Sequence, residues 1–116
     1  MTFRRFKRML GAVALFATIG VPALAAAPVK ILMFGMSLTQ GFGLPPGTEL
    51  PDVLQAKLAT IGIGARVINA GVSGDTSADG LSRIDWSLAD RPDAAIVELG
   101  SNDALRGLNG EPARRR

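Results

Sequence analysis

The sequence contains no cysteine and no histidine among its 116 residues. The absence of cysteine excludes disulfide bonds, thiol nucleophiles and thiolate-bound metal sites. It is compatible with export, because disulfides are permitted outside the cytoplasm but are not required there. The absence of histidine removes the side chain that most often acts as general base near neutral pH. Any nucleophilic chemistry in these residues therefore lacks its usual base.

The basic excess of the chain is confined to its two ends. The formal net charge is +3 and the pI is about 10.2. Between residues 26 and 113, however, six basic residues face ten acidic residues. No basic stripe with interleaved aromatic residues is left to neutralise phosphates, so nucleic acid is not an expected partner. The terminal basic residues are Arg4, Arg5, Lys7 and Arg8 at one end and Arg114, Arg115 and Arg116 at the other.

The first 25 residues have the pattern of a secretory signal peptide. A basic head is followed by an apolar run from Met9 to Leu24, and Ala23 and Ala25 supply the two small residues that a signal peptidase reads. The pattern predicts cleavage after Ala25 and export to the periplasm or the medium. The apolar run is shorter than the roughly 20 residues of a spanning helix, so no stable membrane anchor is expected after cleavage.

Three short apolar segments predict buried β-strands. Val29 to Phe34 is apolar apart from Lys30 and lies between a proline and a glycine. A continuous apolar run of this length is typical of a strand that is buried on both faces. Ala65 to Ala70 and Ala94 to Leu99 are the second and third predicted strands.

Two segments between these strands have helical spacing. In the first, Pro51 and Asp52 suit the first turn of a helix, and Gly62 and Gly64 predict its end. The second helix is predicted to begin with Thr76 or Ser77 as N-cap and to end before a proline. The apolar residues at helical spacing are Leu50, Leu54, Leu58 and Ile61 in the first segment and Leu81, Ile84 and Leu88 in the second.

The order strand, helix, strand, helix, strand predicts a parallel α/β sheet with right-handed crossovers. Three strands are few for such a sheet. Beyond Arg106 the sequence continues with glycine, asparagine, proline and three arginines and shows no further amphipathic segment. These observations predict one domain over residues 26–107, followed by a basic tail at 108–116.

Each predicted strand ends in a glycine that is followed by hydroxyl or amide side chains. In parallel sheets these strand ends share one edge, where ligands bind among free loop amides and helix N-termini. A single loop of this kind is usually a turn with a helix cap. Three of them at successive strand ends indicate a site. The set Gly41, Gly43 and Gly47 lacks the spacing of a phosphate loop and is interpreted as plain loop.

The three loops resemble the sequence blocks of the SGNH (GDSL-type) hydrolases. Residues 34–45 read FGMSLTQGFGLP, residues 69–77 read NAGVSGDTS and residues 99–107 read LGSNDALRG. The resemblance extends from about Val29 to Gly107 and is to the bacterial arylesterase, acyl thioesterase I and lysophospholipase branch. It implies a three-layer, flavodoxin-like α/β fold with a parallel sheet, here truncated to about three strands and two main helices.

The resemblance also implies an acyl-transfer site. Ser37 would be the nucleophile that attacks a small acyl or aryl ester or a thioester. The backbone N–H groups of Ser37 and Gly74 and the side-chain amide of Asn102 would form the oxyanion hole. The family needs no cofactor or metal, and none is expected here.

Two departures from the family pattern bear on activity. Met36 stands where the family has aspartate, and the Asp-x-x-His block that carries the base is absent. Asp75 and Asp103 lie near the predicted site, but we expect them to stabilise loops. The first hypothesis is therefore a serine ester hydrolase by family that is impaired or inactive as this chain. The alternative is a non-catalytic, truncated remnant that at most binds acyl or aryl ligands. An unrelated nucleotide-binding domain would need a phosphate loop and an acidic ribose-binding residue, and neither is present.

Overall fold

A computed structural model describes residues 25–108 of the chain. Residues 1–24 of the predicted signal peptide and residues 109–116 of the predicted tail lie outside the described residues. No helix within residues 25–108 is long and apolar enough to cross a membrane. The elements in chain order are β1 (Val29–Gly35), α1 (Ser37–Gln40), α2 (Leu50–Thr60), β2 (Ala65–Gly71), α3 (Ser77–Ser87), β3 (Ala94–Glu98) and α4 (Ser101–Leu105).

The three strands form one parallel sheet in the order β2-β1-β3. β1 is the central strand, and its residues Leu32, Met33 and Phe34 are at most 3% exposed. The run from Val29 to Phe34 therefore forms the buried strand that the sequence predicted. The alternation of strands and helices, and with it the parallel α/β class, is confirmed.

The strand order places the two long helices on opposite faces of the sheet. β2 and β3 lie on either side of β1, so right-handed crossovers pass over different faces. α3 packs closely on its face through Gly80, where a Cβ would lie 2.7 Å from Cδ1 of Leu99 and 3.3 Å from Cε1 of Phe34. The arrangement is thus the predicted three layers, with the change of direction in the strand order falling between β1 and β3.

Both long helices begin where the sequence predicted. Pro51 lies in the first turn of α2, and the chain leaves this helix through Gly62 at a φ of 76°. Thr76 caps α3 in a capping box, in which its hydroxyl accepts from the N–H of Asp79 and the Asp79 carboxylate accepts from the N–H of Thr76. Leu50 and Ile61, at the two ends of the apolar spacing of α2, are 48% and 61% exposed. Only the middle of this helix therefore meets the sheet.

The outer edge of β2 is closed by a side chain of α2. The Gln55 amide donates to the carbonyl of Ala65 at 2.6 Å and accepts from the N–H of Val67 at 2.8 Å. These are two of the backbone groups that a further strand would use for pairing. Gln55 thus occupies part of the edge where another strand could add.

The short helices α1 and α4 were not predicted. The sequence analysis treated both stretches as loops, although each begins directly after a strand end. α1 has four residues and α4 has five. One turn is too short for an apolar period to appear. The strand bounds differ from the predictions by one residue, because β1 and β2 extend to Gly35 and Gly71 and β3 ends at Glu98.

Candidate active site

Ser37 is the first residue of α1 and follows β1 directly after Met36. The N–H of Gln40 donates to the Met36 carbonyl at 2.8 Å, and the N–H of Gly41 donates to the Ser37 carbonyl at 2.9 Å. Gly41 closes the turn in the left-handed region at a φ of 88°. Because Ser37 stands in the first turn, its own N–H has no acceptor within the helix. Its side chain is half-buried.

The turn around Ser37 is fastened to the end of β3 by Glu98. Oε2 of Glu98 accepts from the N–H of Met36 at 3.0 Å and from the hydroxyl of Thr39 at 3.2 Å. Gly35 makes this contact possible, because a Cβ at that position would collide with the Thr39 side chain and lie 2.8 Å from Oε2 of Glu98. A carboxylate does therefore accept hydrogen bonds around this turn, although it comes from β3 and not from position 36.

Gly74 lies in the loop after β2 and has a φ of 86°. A Cβ at this position would meet only Nη2 of Arg106, at 3.8 Å. The requirement for glycine that the structure shows is therefore the left-handed backbone and not lack of space within the chain. Nη2 of Arg106 donates to the Gly74 carbonyl at 2.8 Å and connects this loop to the end of α4.

Asn102 reaches from α4 toward both of the other loops. Its Nδ2 lies 2.9 Å from the carbonyl oxygen of Asp75 and 3.3 Å from the sulfur of Met36. One amide thus touches the residue before Ser37 and the residue after Gly74. The structure brings Ser37, Gly74 and Asn102 to one edge of the sheet, at the place where the strand order changes direction.

The two loop carboxylates bind groups other than Ser37. Oδ2 of Asp75 lies 2.6 Å from Nε of Arg83. Asp103 is buried and accepts from the N–H of Ser77 at 2.8 Å and from its hydroxyl at 3.2 Å. Both acids therefore stabilise loops, as the sequence suggested. Within residues 25–108, no group of three acidic side chains is arranged to hold a metal ion.

Arg83 joins the strand ends beneath the site. Its guanidinium donates to the carbonyls of Ala70 and Gly35, each at 2.9 Å, in addition to the ion pair with Asp75. Its Cζ lies 4.0 Å from the centre of the Phe34 ring. One side chain thus connects the carboxyl ends of β1 and β2 to the loop that carries Gly74.

Comparison with known proteins gives the family. The family described as "GDSL-like Lipase/Acylhydrolase" matches residues 33–116 of the chain. This chain belongs to that family. The esterase TesA of Pseudomonas aeruginosa is 43% identical over 84 residues, which are 72% of this chain and 42% of TesA. An arylesterase of Vibrio mimicus is 39% identical over 87 residues, which are 74% of this chain and 44% of that protein.

A solved structure of the same fold supports this assignment. The structure described as AlinE4, an SGNH-hydrolase family esterase, has a TM-score of 0.70 and is 52% identical in sequence. The match covers 78% of this chain and 49% of AlinE4. The SGNH hydrolase fold that the loops predicted is therefore confirmed. The chain spans less than half the length of these relatives.

Several residues that build the site in this family member were missed by the sequence analysis. The sequence analysis did not single out Glu98, which lies in the third predicted strand, or Arg83, which lies in the second predicted helix. Gln40 was read as part of a loop, but its Oε1 accepts from the N–H of Ser73 at 2.7 Å and ties α1 to the loop after β2. Each of these side chains bonds a partner at least 8 residues away in sequence, so no local pattern identified it.

Proposed function

We propose that this chain carries the nucleophile half of a serine ester hydrolase site. Ser37 is the nucleophile, and the oxyanion donors are the N–H of Ser37, the N–H of Gly74 and the amide of Asn102. The observation that supports this most is the position of the Asn102 amide, within hydrogen-bonding distance of neighbours of both Ser37 and Gly74. The three groups follow the ends of three different strands, and acyl transfer needs them at one carbonyl.

In this proposal the Ser37 hydroxyl attacks the ester carbonyl and forms an acyl-enzyme that water later hydrolyses. The carbonyl oxygen becomes negatively charged in the tetrahedral intermediate and accepts from the three donors. Each such donor is typically worth about 3 kcal/mol of transition-state stabilisation. The proposed substrates are small acyl or aryl esters or thioesters, in keeping with the names esterase and arylesterase of the relatives.

The proton of the Ser37 hydroxyl has no histidine to receive it among the 116 residues. A serine hydroxyl is a poor nucleophile at neutral pH unless a base removes this proton. We therefore propose that the chain as written hydrolyses esters at a trace rate only. The lack of a histidine base also favours the second candidate function, which is binding of acyl or aryl ligands without turnover.

Three proteins separate these possibilities: the chain from residue 26, its S37A variant, and a joined protein. The joined protein carries M36D and continues into the part of AlinE4 that follows the matched segment. We expect the joined protein alone to hydrolyse activated aryl esters at a rate typical of enzymes, on the order of 1 to 10³ per second.

Two further variants of the joined protein give the control. S37A should abolish the hydrolysis, whereas S82A, at an exposed serine of α3, should leave it unchanged. Activity that survives S37A would show that the nucleophile is assigned wrongly. Rapid Ser37-dependent turnover by the unjoined chain would show that another base exists.

We also propose that the chain is exported and that its signal peptide is removed. The support is the basic head, the apolar run and the small residues that end at Ala25. When the chain is expressed with its own N-terminus in a bacterium, the mass of the exported product should correspond to a chain that begins at Ala26. Retention in the cytoplasm at full mass would contradict this proposal.

A further inference from the structure

Arg106 follows Asn102 by one helical turn, at the C-terminal end of α4. Residues four apart in a helix stand on the same face, and the N–H of Arg106 donates to the Asn102 carbonyl at 3.1 Å. Both side chains reach the loop after β2 and bond consecutive carbonyls there. Nη2 of Arg106 lies 2.8 Å from the carbonyl oxygen of Gly74, and Nδ2 of Asn102 lies 2.9 Å from that of Asp75. The guanidinium therefore stands beside two of the proposed oxyanion donors, the Gly74 N–H and the Asn102 amide.

The Arg106 guanidinium has hydrogen-bonding capacity that residues 25–108 do not use. An arginine has five N–H donors, and the hydrogen bond to the Gly74 carbonyl is the one that this side chain makes in that part of the chain. No carboxylate there lies within salt-bridge distance of it, because the ion pair found among these residues joins Arg83 and Asp75. Arg106 is exposed. Its other donors and its positive charge are thus accessible to a ligand.

The acidic side chains closest to Arg106 in the fold bind other groups. The Asp79 carboxylate accepts from the N–H and the hydroxyl of Thr76, and the Asp103 carboxylate is buried and accepts from the N–H of Ser77. Hydrogen bonds from Thr76 are the main reason why the pKa of Asp79 is lowered, and the charge of Arg106 adds a smaller part. An incoming anion would therefore not have to displace a carboxylate from the guanidinium.

The space beside Gly74 gives access to both kinds of donor. Among the described residues, a Cβ built on Gly74 would meet a single atom within 4 Å, which is Nη2 of Arg106 at 3.8 Å. This space borders the Gly74 peptide on one side and the guanidinium on the other. A ligand that occupied it could contact the two together.

We propose that Arg106 forms an anion subsite of the active site, and that the preferred esters carry a carboxylate or a phosphate a few atoms from the ester carbonyl. The inference rests on the proposed function, because the oxyanion donors determine where that carbonyl lies. The planar guanidinium can donate two parallel hydrogen bonds to either anion, while the Gly74 N–H and the Asn102 amide bind the carbonyl oxygen. The bond to the Gly74 carbonyl orients the guanidinium before the ligand arrives, which reduces the entropy lost on binding.

Three probes test the subsite by binding to the chain: para-acetoxybenzoate, para-acetoxyphenyl phosphate and the neutral para-acetoxybenzamide. The benzoate and the benzamide have similar size and shape and differ in charge. Dissociation constants are measured by NMR titration, in which the Gly74 amide reports on the carbonyl end and the Arg106 Nε–H on the anion. We expect the benzoate to bind about fivefold more tightly than the benzamide, which is the upper range for an exposed ion pair. The difference should largely disappear in about 0.5 M salt.

Two substitutions at Arg106 and one matched control locate the effect. R106Q removes the charge but keeps an amide that can bond the Gly74 carbonyl, so it should bind the charged and the neutral probes equally. R106K keeps the charge and should retain part of the preference. R66Q is the control, because Arg66 is also exposed but lies near the start of β2, at the other end of the strand from the Gly74 loop. It should retain the full preference. Circular dichroism checks that all variants are folded.

Equal binding of the charged and neutral probes by the unchanged chain would overturn the inference. A preference that survives R106Q, a preference that R66Q removes, or no binding of either anionic probe would do the same. Tighter binding of one anionic probe than of the other supports the subsite and identifies its ligand as a carboxylate or a phosphate.

Hydrolysis by the joined protein distinguishes this inference from the proposed function. Equal kcat/KM for the charged and neutral esters would overturn the inference and leave Ser37 as the nucleophile. Hydrolysis that survives S37A would contradict the proposed function, whereas a binding preference that is lost in R106Q would still support the anion subsite.

Discussion

The two edges of the sheet, β2 and β3, differ in how completely other side chains cover them. We call the β2 edge the closed side and the β3 edge the open side. On the β2 side, Gln55 bonds the edge strand, and Gln40 ties α1 to the loop after β2. On the β3 side, Ile96 and Val97 are 43% and 59% exposed on opposite faces of the strand, and Val97 lines an open trough of about 310 Å³ between β3 and α3. The turn that carries Ser37 and the loop that carries Gly74 both rest on the closed side. Two of the proposed oxyanion donors, the N–H groups of Ser37 and Gly74, therefore belong to the closed side, whereas Asn102 follows β3 and belongs to the open side.

The closed side is tightly packed where α1 meets β2. α1 lies directly on the end of β2, so that a Cβ on Gly71 would collide with the backbone N of Gln40 and lie 2.7 Å from the carbonyl carbon of Thr39. Backbone atoms cannot rotate away as a side chain can. The position of the Ser37 turn is thus set by contact with the neighbouring strand.

The largest effect is expected from G71A, which breaks the closed side. The added methyl group must push α1 away from β2, and overpacking of this kind costs about 3 kcal/mol of the free energy of unfolding. Urea unfolding followed by circular dichroism measures the loss. The matched control is G64A, because a Cβ on Gly64 would have no atom within 4 Å and its φ is not positive. Equal destabilisation by both variants would show that α1 does not rest on Gly71.

R83K should have the next largest effect. Lysine cannot reproduce the planar fork that bonds two strand-end carbonyls and Asp75 together, so we expect a loss of about 2 kcal/mol in the free energy of unfolding. R66K makes the same exchange at an exposed position of β2 and should change stability by less than about 0.5 kcal/mol. If R83K left the free energy of unfolding unchanged, the ends of β1 and β2 would be held together without this side chain.

Q55A should make the closed edge resemble the open one. It removes two hydrogen bonds to β2, at a cost of about 1 to 2 kcal/mol, and should speed hydrogen exchange at the N–H of Val67. Q55E keeps an acceptor for Val67 but cannot donate to the carbonyl of Ala65, so its exchange at Val67 should stay slow. If Q55A left exchange at Val67 unchanged, the edge would be protected by another group.

The smallest effect on stability is expected at the start of α3, the helix that packs on the central strand β1. Hydrogen bonds from the Thr76 hydroxyl and N–H lower the pKa of Asp79 below its ordinary value. The stability that Asp79 contributes is therefore present above the ordinary aspartate pKa of about 3.9 and is lost as the pH falls through its lower pKa in the folded state.

Urea midpoints measured between pH 7 and pH 2 test this expectation. The difference between the unchanged chain and D79N should be constant above about pH 5 and should shrink below about pH 4, where the carboxylate in the unfolded chain binds its proton. In a T76V background the hydroxyl bond is gone, so the same pH dependence should be weaker. A difference that grew on acidification would contradict the assigned direction of the pKa.

The strands and helices that are long enough to show a hydrophobic pattern could be predicted from the sequence. The one-turn helices could not. β1 was evident because a central strand is apolar throughout, and α3 because Leu81, Ile84 and Leu88 recur at helical spacing. α1 and α4 have one turn each, and nothing in four or five residues distinguishes a turn of helix from a loop.

The supporting contacts of the site could not be predicted, because they depend on which strands are neighbours. Glu98 reaches the turn after β1 only because β3 lies next to β1, and the strand order β2-β1-β3 leaves no local trace in the sequence. The roles proposed for Ser37, Gly74 and Asn102 came from whole loop motifs. Arg83 lacks such a motif and was missed.

The thioether of Met36 has a consequence for ligand capture. Nδ2 of Asn102 has two hydrogens, and its neighbours are a carbonyl oxygen at 2.9 Å and the Met36 sulfur at 3.3 Å. A carbonyl is a strong acceptor and a thioether is a weak one. An anionic oxygen that enters the site would therefore compete with sulfur alone for one hydrogen, while the carbonyl kept the amide plane in place. In the proposed site, the Met36 sulfur is the weaker of the two acceptors, so it is the contact that an incoming oxyanion would replace.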